Sequence, residues 1–460
     1  MNADIMTDDE QFEDAYVLDK ATVLAIRAAV EIGDAVSLTE LMEPLHAADI
    51  ADLLEQISEV ERRELVQLYD REFDGEILSE LDEGLREEVI DALHPEVLAD
   101  AVRELESDDV VDLLEDLDAP QQGVILEALE DIDRVAVEQA MTYPEFSAGR
   151  LMQREVVMAP EHWNVGQAID FLRNSKNLPE QFYHLHLVNP KQEPVAYVTL
   201  GRLLSSDRKC PLLDITEDSF RTFDVTEDEA DVAYAFNQYH LISAPVVDAS
   251  QRLVGMITID DAVQILDEEH EEDIMRLAGL GENSLSDKVF DTTKRRFPWL
   301  AVNLVTAILA SLVIAQFEEL IAQFVALAVL MPIVASMGGN AGTQSLTVAV
   351  RAIATRDLTS ANVWRVIRRE ILVGLTNGLI FAVVMGIVGA IWFGTPILGL
   401  VIALAMIANL IVAGLAGILV PVGLEKIGID PALASGAFVT TVTDVVGFFA
   451  FLGLAALMLM

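Results

Sequence analysis

A single cysteine, Cys210, stands in 460 residues, so the chain has neither an internal disulfide framework nor a cysteine-rich metal cluster. Positive charge is scarce ahead of residue 291: 20 Lys+Arg face 68 Asp+Glu there, against nine and eight in the remainder. That balance disfavours nucleic acid and anionic surfaces and favours cations; a solvated acidic surface suited to a salty cytoplasm explains it equally well. The first residues, MNADIMTDDEQFEDAY, hold no basic region followed by an apolar core, so no cleaved signal peptide is expected. No phosphate-cradling glycine-rich loop, Cys/His pair or zinc signature is found, so the chain is expected not to be an enzyme.

What the chain does have is apolar length. From Phe297 its hydrophobic runs reach the ~20 residues that a membrane-spanning helix needs, and spans are expected near 298–316, 321–349, 367–393, 397–421 and 432–458. Lys294, Arg295 and Arg296 precede the first, Arg351, Arg356, Arg365, Arg368 and Arg369 separate the second from the third, and Lys426 follows the fourth. By the positive-inside rule these sites are cytoplasmic, which puts the N-terminus inside and the C-terminus outside.

The last span carries one carboxylate, Asp444, near its middle. A charge at the bilayer centre costs at least ~2.5 to 3.5 kcal/mol, so it should line a polar cavity or meet a cation. Thr440, Thr441 and Thr443 bring hydroxyls to the same level. The second span contains MPIVASMGGNAGTQS, residues 331–345. Pro332 and glycines 338, 339 and 342 permit close approach or local unwinding, and Asn340, Thr343, Gln344 and Ser345 add neutral oxygen. Small and polar residues can also be packing glue between helices. Oxygen donors without Cys or His suit a hard cation, Mg²⁺ first, with Ca²⁺ and Mn²⁺ as alternatives. One chain offers few polar groups to surround an ion, so a pore between two copies is expected.

The soluble part divides by texture. Residues 1–35 read as an acidic leader running into a helix, and 36–140 repeat helical phrases, AADIADLLEQI, EVLADAVREL and SDDVVDLLEDL, as stacked short helices do. Ser107 is expected to cap a helix whose first turn holds Asp108 and Asp109. Asp108 and Asp112 share a face on which a hydrated divalent ion could sit. Over 141–269 two units match, HLHLVNPKQEPVAYVTLGRLL and SAPVVDASQRLVGMITIDDAV. They resemble a tandem pair of CBS domains, a regulatory module that often binds adenosine nucleotides. The second unit keeps Thr258 and Asp261 of the ribose-contacting pattern, whereas the first has Thr199 and then Arg202 in place of the acid. DEEHEED, residues 267–273, follows. Its crowded carboxylates repel one another, and a divalent cation would relieve that repulsion.

This order of parts resembles the MgtE family of magnesium channels and transporters. The likeness is carried by GGNAGTQS and DPALASGAFVTTVTDV in the membrane part. It implies a multidomain fold: a cytosolic all-α superhelical domain at 36–140, tandem α/β CBS domains at 141–269, a connecting helix at 270–296 and a five-helix α transmembrane pore domain at 297–460. It also implies a homodimer in the plasma membrane that takes up Mg²⁺, with ATP at the CBS domains. In the pore the resemblance assigns Asp444, Thr440, Gly339, Asn340 and Thr343, with Asp430 at the cytoplasmic end; the family often has Asn where this chain has Thr343. For a cytosolic Mg²⁺ sensor that closes the pore it assigns Glu76, Asp108, Asp112, Asp228, Asp261, Glu269, Glu272 and Asp273. Further sensor positions hold Ala230, Asn237, His240 and Gln264 in place of acids. Alternatives are a broader divalent transporter accepting Mn²⁺, Co²⁺ or Ca²⁺, an ion-coupled secondary transporter, and a nucleotide-sensing membrane protein without transport.

Overall fold

The computed structural model describes residues 18–70, 73–115, 117, 119–176, 178–179, 181–280, 289–359 and 361–460; the leader's first 17 residues lie outside them. The chain forms two compact units, 1–269 and 270–460.

In the first unit, ten short helices among the described residues run from Lys20–Ile32 to Asp131–Ala140. The repeated phrases become the helices Ala47–Gln56, Pro95–Glu104 and Ser107–Glu115. Each is too short to persist alone in water and is held by the apolar face it buries. Leu53, Leu54, Val102, Val111, Leu113 and Leu114 meet in one core. Starts are fixed by side chains, as where Ser58 and Glu61 close a reciprocal capping box.

Two three-stranded sheets follow. In the first, β1 (Met158–Pro160) pairs in parallel with β2 (His184–Val188), which pairs antiparallel with β3 (Pro194–Thr199). The second repeats this order with β4 (Phe223–Asp224), β5 (Ser243–Val247) and β6 (Leu253–Thr258). Both shift register at the same place, between Leu187 and Val188 and between Val246 and Val247. The two halves interlock: Ala148 and Met152, ahead of the first sheet, pack in the core of the second. Val157 and Leu212 pack in the core of the first.

The second half ends in a helix, Ile259–Leu277, that runs across the division between the units. The connecting helix expected over 270–296 is therefore two pieces, the end of this helix and the start of Val289–Ala315, with 281–288 outside the described residues.

Five helices in the second unit are long and apolar enough to cross a membrane. They differ from the expected limits: Val289–Ala315, Ala326–Ala354, Val363–Phe393, Pro396–Lys426 and Pro431–Leu459, with Glu318 and Glu319 on a separate short helix, Glu318–Gln323. Hydropathy marks only the apolar middle, whereas the helices continue through charged ends. Arg351, Arg365, Arg368 and Arg369 accordingly sit in helical turns. The second span is continuous through Pro332 and the glycines, so local unwinding is not observed. Its glycines serve packing: a Cβ at Gly338 would collide with the Asn409 amide nitrogen, and one at Gly342 would lie 2.7 Å from Val439.

Candidate ion pathway and acidic sensor

The second and last spans each bury one face and leave a polar one open. On the second, Val334, Gly338, Gly342 and Ser345 are buried, while Ser336, Asn340, Thr343 and Thr347 are exposed. On the last, Val439 and Thr443 are buried, Thr440 is exposed and Asp444 is half-buried. Thr343, Thr347 and Thr440 line one groove of about 180 Å³, together with Trp299 and Asn303 of the first span. Asp444 lies one helical turn beyond Thr440. Among the described residues its carboxylate has no hydrogen-bond or ion-pair partner.

The threonines do not all face this groove. Thr443 is fully buried and donates to the Thr440 carbonyl at 2.9 Å, so it points into the bundle. Thr440 donates to Gly436 O at 2.9 Å and Thr343 to Gly339 O at 3.0 Å. Their hydroxyl hydrogens are thus used within their own helices, leaving lone pairs as acceptors toward the groove. Gly339 and Asn340 lie on the same helix one turn from Thr343, outside the groove's lining.

Asp430 is occupied otherwise. It caps the last helix by accepting from Ala432 N at 2.7 Å, and it pairs with Arg276 Nη1 at 2.7 Å. Its place just ahead of the helix and that of Asp444 within it put them roughly 21 Å apart along the axis, so the two carboxylates form two stations and not one site. Arg276 also pairs with Glu272. A third membrane carboxylate, Glu370, is buried and accepts from Ser345 Oγ at 2.9 Å. It falls inside the expected third span, 367–393, but directly after Arg368 and Arg369 at that span's end, so in the sequence it reads as end charge.

In the first unit the sensor candidates fall into two neighbourhoods. Around the start of the helix Ser107–Glu115, Asp108 is buried, its Oδ2 has no hydrogen-bond partner, and burial with nearby Asp261, Asp109 and Glu106 pushes its carboxyl well up. Burial, then Glu155 and Asp261, raise Glu106 to about 7. Burial, then Asp261 and Glu106, raise Asp109 to about 7, with Asp112 and Glu76 adding to it. Asp261 rises to about 6, burial outweighing the hydrogen bond from Thr258 Oγ1 at 2.6 Å.

Ser107 does not cap this helix. Its hydroxyl donates to Glu155 at 2.9 Å and accepts from Arg154 N at 2.8 Å, joining the helical region to the CBS pair. Asp112, expected beside Asp108 as a ligand, is paired with Arg86 at 2.8 Å.

The second neighbourhood centres on Glu229, raised to about 7 by burial, then Glu268, Glu115, Asp228 and Glu269. Asp228 is the cap of the helix Glu229–Tyr239 and accepts from Ala230 N at 3.2 Å. Glu106, Asp109, Glu155 and Glu229 are not among the residues that the sequence singles out as ligands: Glu106, Asp109 and Glu229 adjoin acids that it does and read as solvated helix charge, and only folding brings Glu155 beside them. These carboxylates share a field without forming a cage: among the described residues no group of three or more His, Cys, Asp or Glu is arranged to hold a metal ion.

Thr258 and Asp261 bond each other at the start of their helix, a local capping arrangement. At the equivalent place in the first half Thr199 accepts from Arg202 N at 3.3 Å, and the Arg202 guanidinium pairs with Glu217 at 3.0 Å.

Comparison with known proteins agrees with this layout. Residues 331–454 match the family described as "Divalent cation transporter", 45–146 the "MgtE intracellular N domain" and 214–268 the "CBS domain". The "Magnesium transporter MgtE" of Bacillus subtilis is 31% identical over 72% of this chain and 73% of its own length. That of Thermus thermophilus is 32% identical over 96% of this chain and 99% of its own. A crystal structure of the cytosolic domain of the Mg²⁺ channel MgtE in complex with ATP covers 53% of this chain and 99% of that one, at 27% identity and a TM-score of 0.49. With a helical region, a CBS pair and five apolar helices in that order, the chain belongs to the MgtE family of divalent cation transporters.

Proposed function

We propose that the chain transports Mg²⁺ across a membrane as a homodimer, with the open polar faces of the second and last spans of both copies enclosing the pathway. The observation that carries this reading is Asp444. It is an unpaired carboxylate in an apolar helix, beside a groove with Thr343 and Thr440. In one copy that polar face would meet lipid, which is costly; facing a second copy, it would line water. Two carboxylates and acceptor oxygens suit a cation that keeps several of its waters, as Mg²⁺ does. The basic ends of the spans orient the N-terminus inside and the C-terminus outside.

The acidic neighbourhoods of the first unit are the proposed sensor. A hard cation fits their chemistry, all of it oxygen, and Asp108 offers a buried oxygen without a partner. Asp108 and Asp261 would hold it, water completing most of its shell, and Asp228, Glu269, Glu272 and Asp273 would add further stations. High cytosolic Mg²⁺ screens the repulsion and closes the pathway; low Mg²⁺ releases it. An adenosine nucleotide would use Thr258 and Asp261 of the second CBS half, because Arg202 stands in place of the acid in the first.

The test is Mg²⁺ uptake into proteoliposomes holding the full chain or Asp444→Ala, with and without Mg²⁺ on the cytosolic side. Flux lost in the variant and suppressed by cytosolic Mg²⁺ is the expected result. Flux unchanged by the substitution would remove Asp444 from the pathway.

A further inference from the structure

The third span, Val363–Phe393, divides its surface sharply. Ile367, Glu370, Gly374 and Gly378 are buried, whereas Arg365, Arg368, Arg369, Leu372, Val373 and Thr376 are exposed and line one open groove of about 460 Å³. The three arginines recur at the three- and four-residue spacing that stacks side chains on one helix face. Their placement is unusual for this chain. With 76 acidic residues against 29 basic ones, a cation has carboxylates to choose from, yet among the described residues none of these three makes an ion pair. Arg27, Arg62, Arg86, Arg150, Arg202 and Arg276 all do.

Helix length sets the depth of the groove. Thirty-one residues span roughly 46 Å against a hydrocarbon core of about 30 Å, leaving roughly five residues beyond the core at each end. That puts Arg365 beyond the core and Arg368 and Arg369 at its edge, from which their long side chains reach headgroup level; exposed Trp364 suits the interface, and Leu372 and Val373 lie at the top of the acyl chains.

We propose that Arg365, Arg368 and Arg369, with Leu372 and Val373 beneath them, bind the headgroup of an anionic phospholipid in the cytoplasmic leaflet. Guanidinium forks match phosphate oxygens, and a cluster of cytoplasmic arginines beside a span recognises acidic headgroups. A topology signal needs positive charge but neither a shared face nor an apolar strip continuing it. A free phosphate or nucleotide would leave that strip idle. The lipid supplies both anion and chain. The leaflet assignment rests on the orientation proposed above.

The test is lipid binding to the purified full-length protein by native mass spectrometry, comparing phosphatidylglycerol with phosphatidylcholine for wild type and the Arg365→Gln, Arg368→Gln, Arg369→Gln triple variant. Loss of phosphatidylglycerol affinity on the order of a hundredfold, with phosphatidylcholine unchanged, is expected. Equal phosphatidylglycerol binding by both proteins would overturn the site. So would its displacement by inorganic phosphate, which would mark a free-anion site, or cross-linking of residue 368 to the acidic unit of a second copy in place of lipid. Should the triple variant not survive purification, Arg368→Gln alone should weaken binding about fivefold, and no change would overturn the proposal. Orientation is read separately by outside labelling of Ala361→Cys, exposed just ahead of the span and outside the groove, in a Cys210→Ser background. Labelling from outside with lipid binding intact would move the site to the other leaflet and leave the chemistry standing.

Discussion

The two units treat carboxylates in opposite ways. In the first, acids are crowded and several are buried together, so burial first and like-charged neighbours second raise the proton affinity of Glu106, Asp108, Asp109 and Glu229. In the membrane helices of the second they are sparse and each has its own circumstance: Glu370 accepts from Ser345, Asp430 at the start of the last helix is held by Arg276, and Asp444 stands without a partner. A crowd of like charges stores repulsion that a mobile cation can relieve, so it responds to concentration. A lone carboxylate among neutral oxygens attracts a cation without trapping it, which suits passage. One residue type thus does two jobs, and number and neighbours decide which.

The largest effect that would break this comparison is at the lone carboxylate. Asp444→Asn keeps the shape and removes the charge, and Mg²⁺ flux in proteoliposomes should fall by about a hundredfold or more. Retained flux would mean that the neutral oxygens alone suffice. Next is the crowd: Glu106→Gln with Asp109→Asn should make the Mg²⁺-free protein more resistant to proteolysis and blunt the added protection that Mg²⁺ gives. Unchanged Mg²⁺ protection would place the regulatory ion elsewhere.

The pH dependence sharpens the same point. Glu106 and Glu229 titrate near 7 in the folded protein against 4.5 for an ordinary glutamate. Between those values the folded state holds protons that the unfolded state has released. Their stabilising contribution is full below about pH 4.5 and is lost as pH rises through about 7. Thermal stability without Mg²⁺ should therefore decline over that window, and saturating Mg²⁺ should flatten the decline. A rise in stability with pH would contradict the crowding.

Smaller effects belong to the membrane unit's packing. Gly338→Ala forces a methyl into the Asn409 amide and should cost about 1–3 kcal/mol, seen as a lower melting temperature in detergent. Glu370→Gln, which can still accept from Ser345, should cost less than Glu370→Leu, which leaves the buried hydroxyl unpaired. Equal losses would show that the Ser345 bond contributes little.

Much of this architecture was legible because the signals are local. Apolar runs marked five spans, and the repeated strand–turn–strand phrase marked both halves of the CBS pair, whose sheets share even the position of a register shift. Thr343 and Thr440, named from separate spans, do line one groove. What was not legible depends on partners distant in sequence. Ser107 has the composition and position of a helix cap, yet its hydroxyl is claimed by Arg154 and Glu155, far along the chain. Asp112 is claimed by Arg86 and Asp430 by Arg276. The glycines of the second span permit unwinding, but close packing against Asn409 and Val439 keeps the helix whole.

Asn409 itself constrains how the membrane unit can move. It is fully buried and donates to the Val334 carbonyl at 2.8 Å, and the last span also approaches it at Gly447. One amide therefore pins the second, fourth and last spans at a single level, like a rivet through three plates. Turning any one about its axis breaks the bond or drives a side chain into the amide. Widening of the polar groove must therefore carry these three helices as a body, leaving the motion to hinges at their ends or to the seam with a second copy.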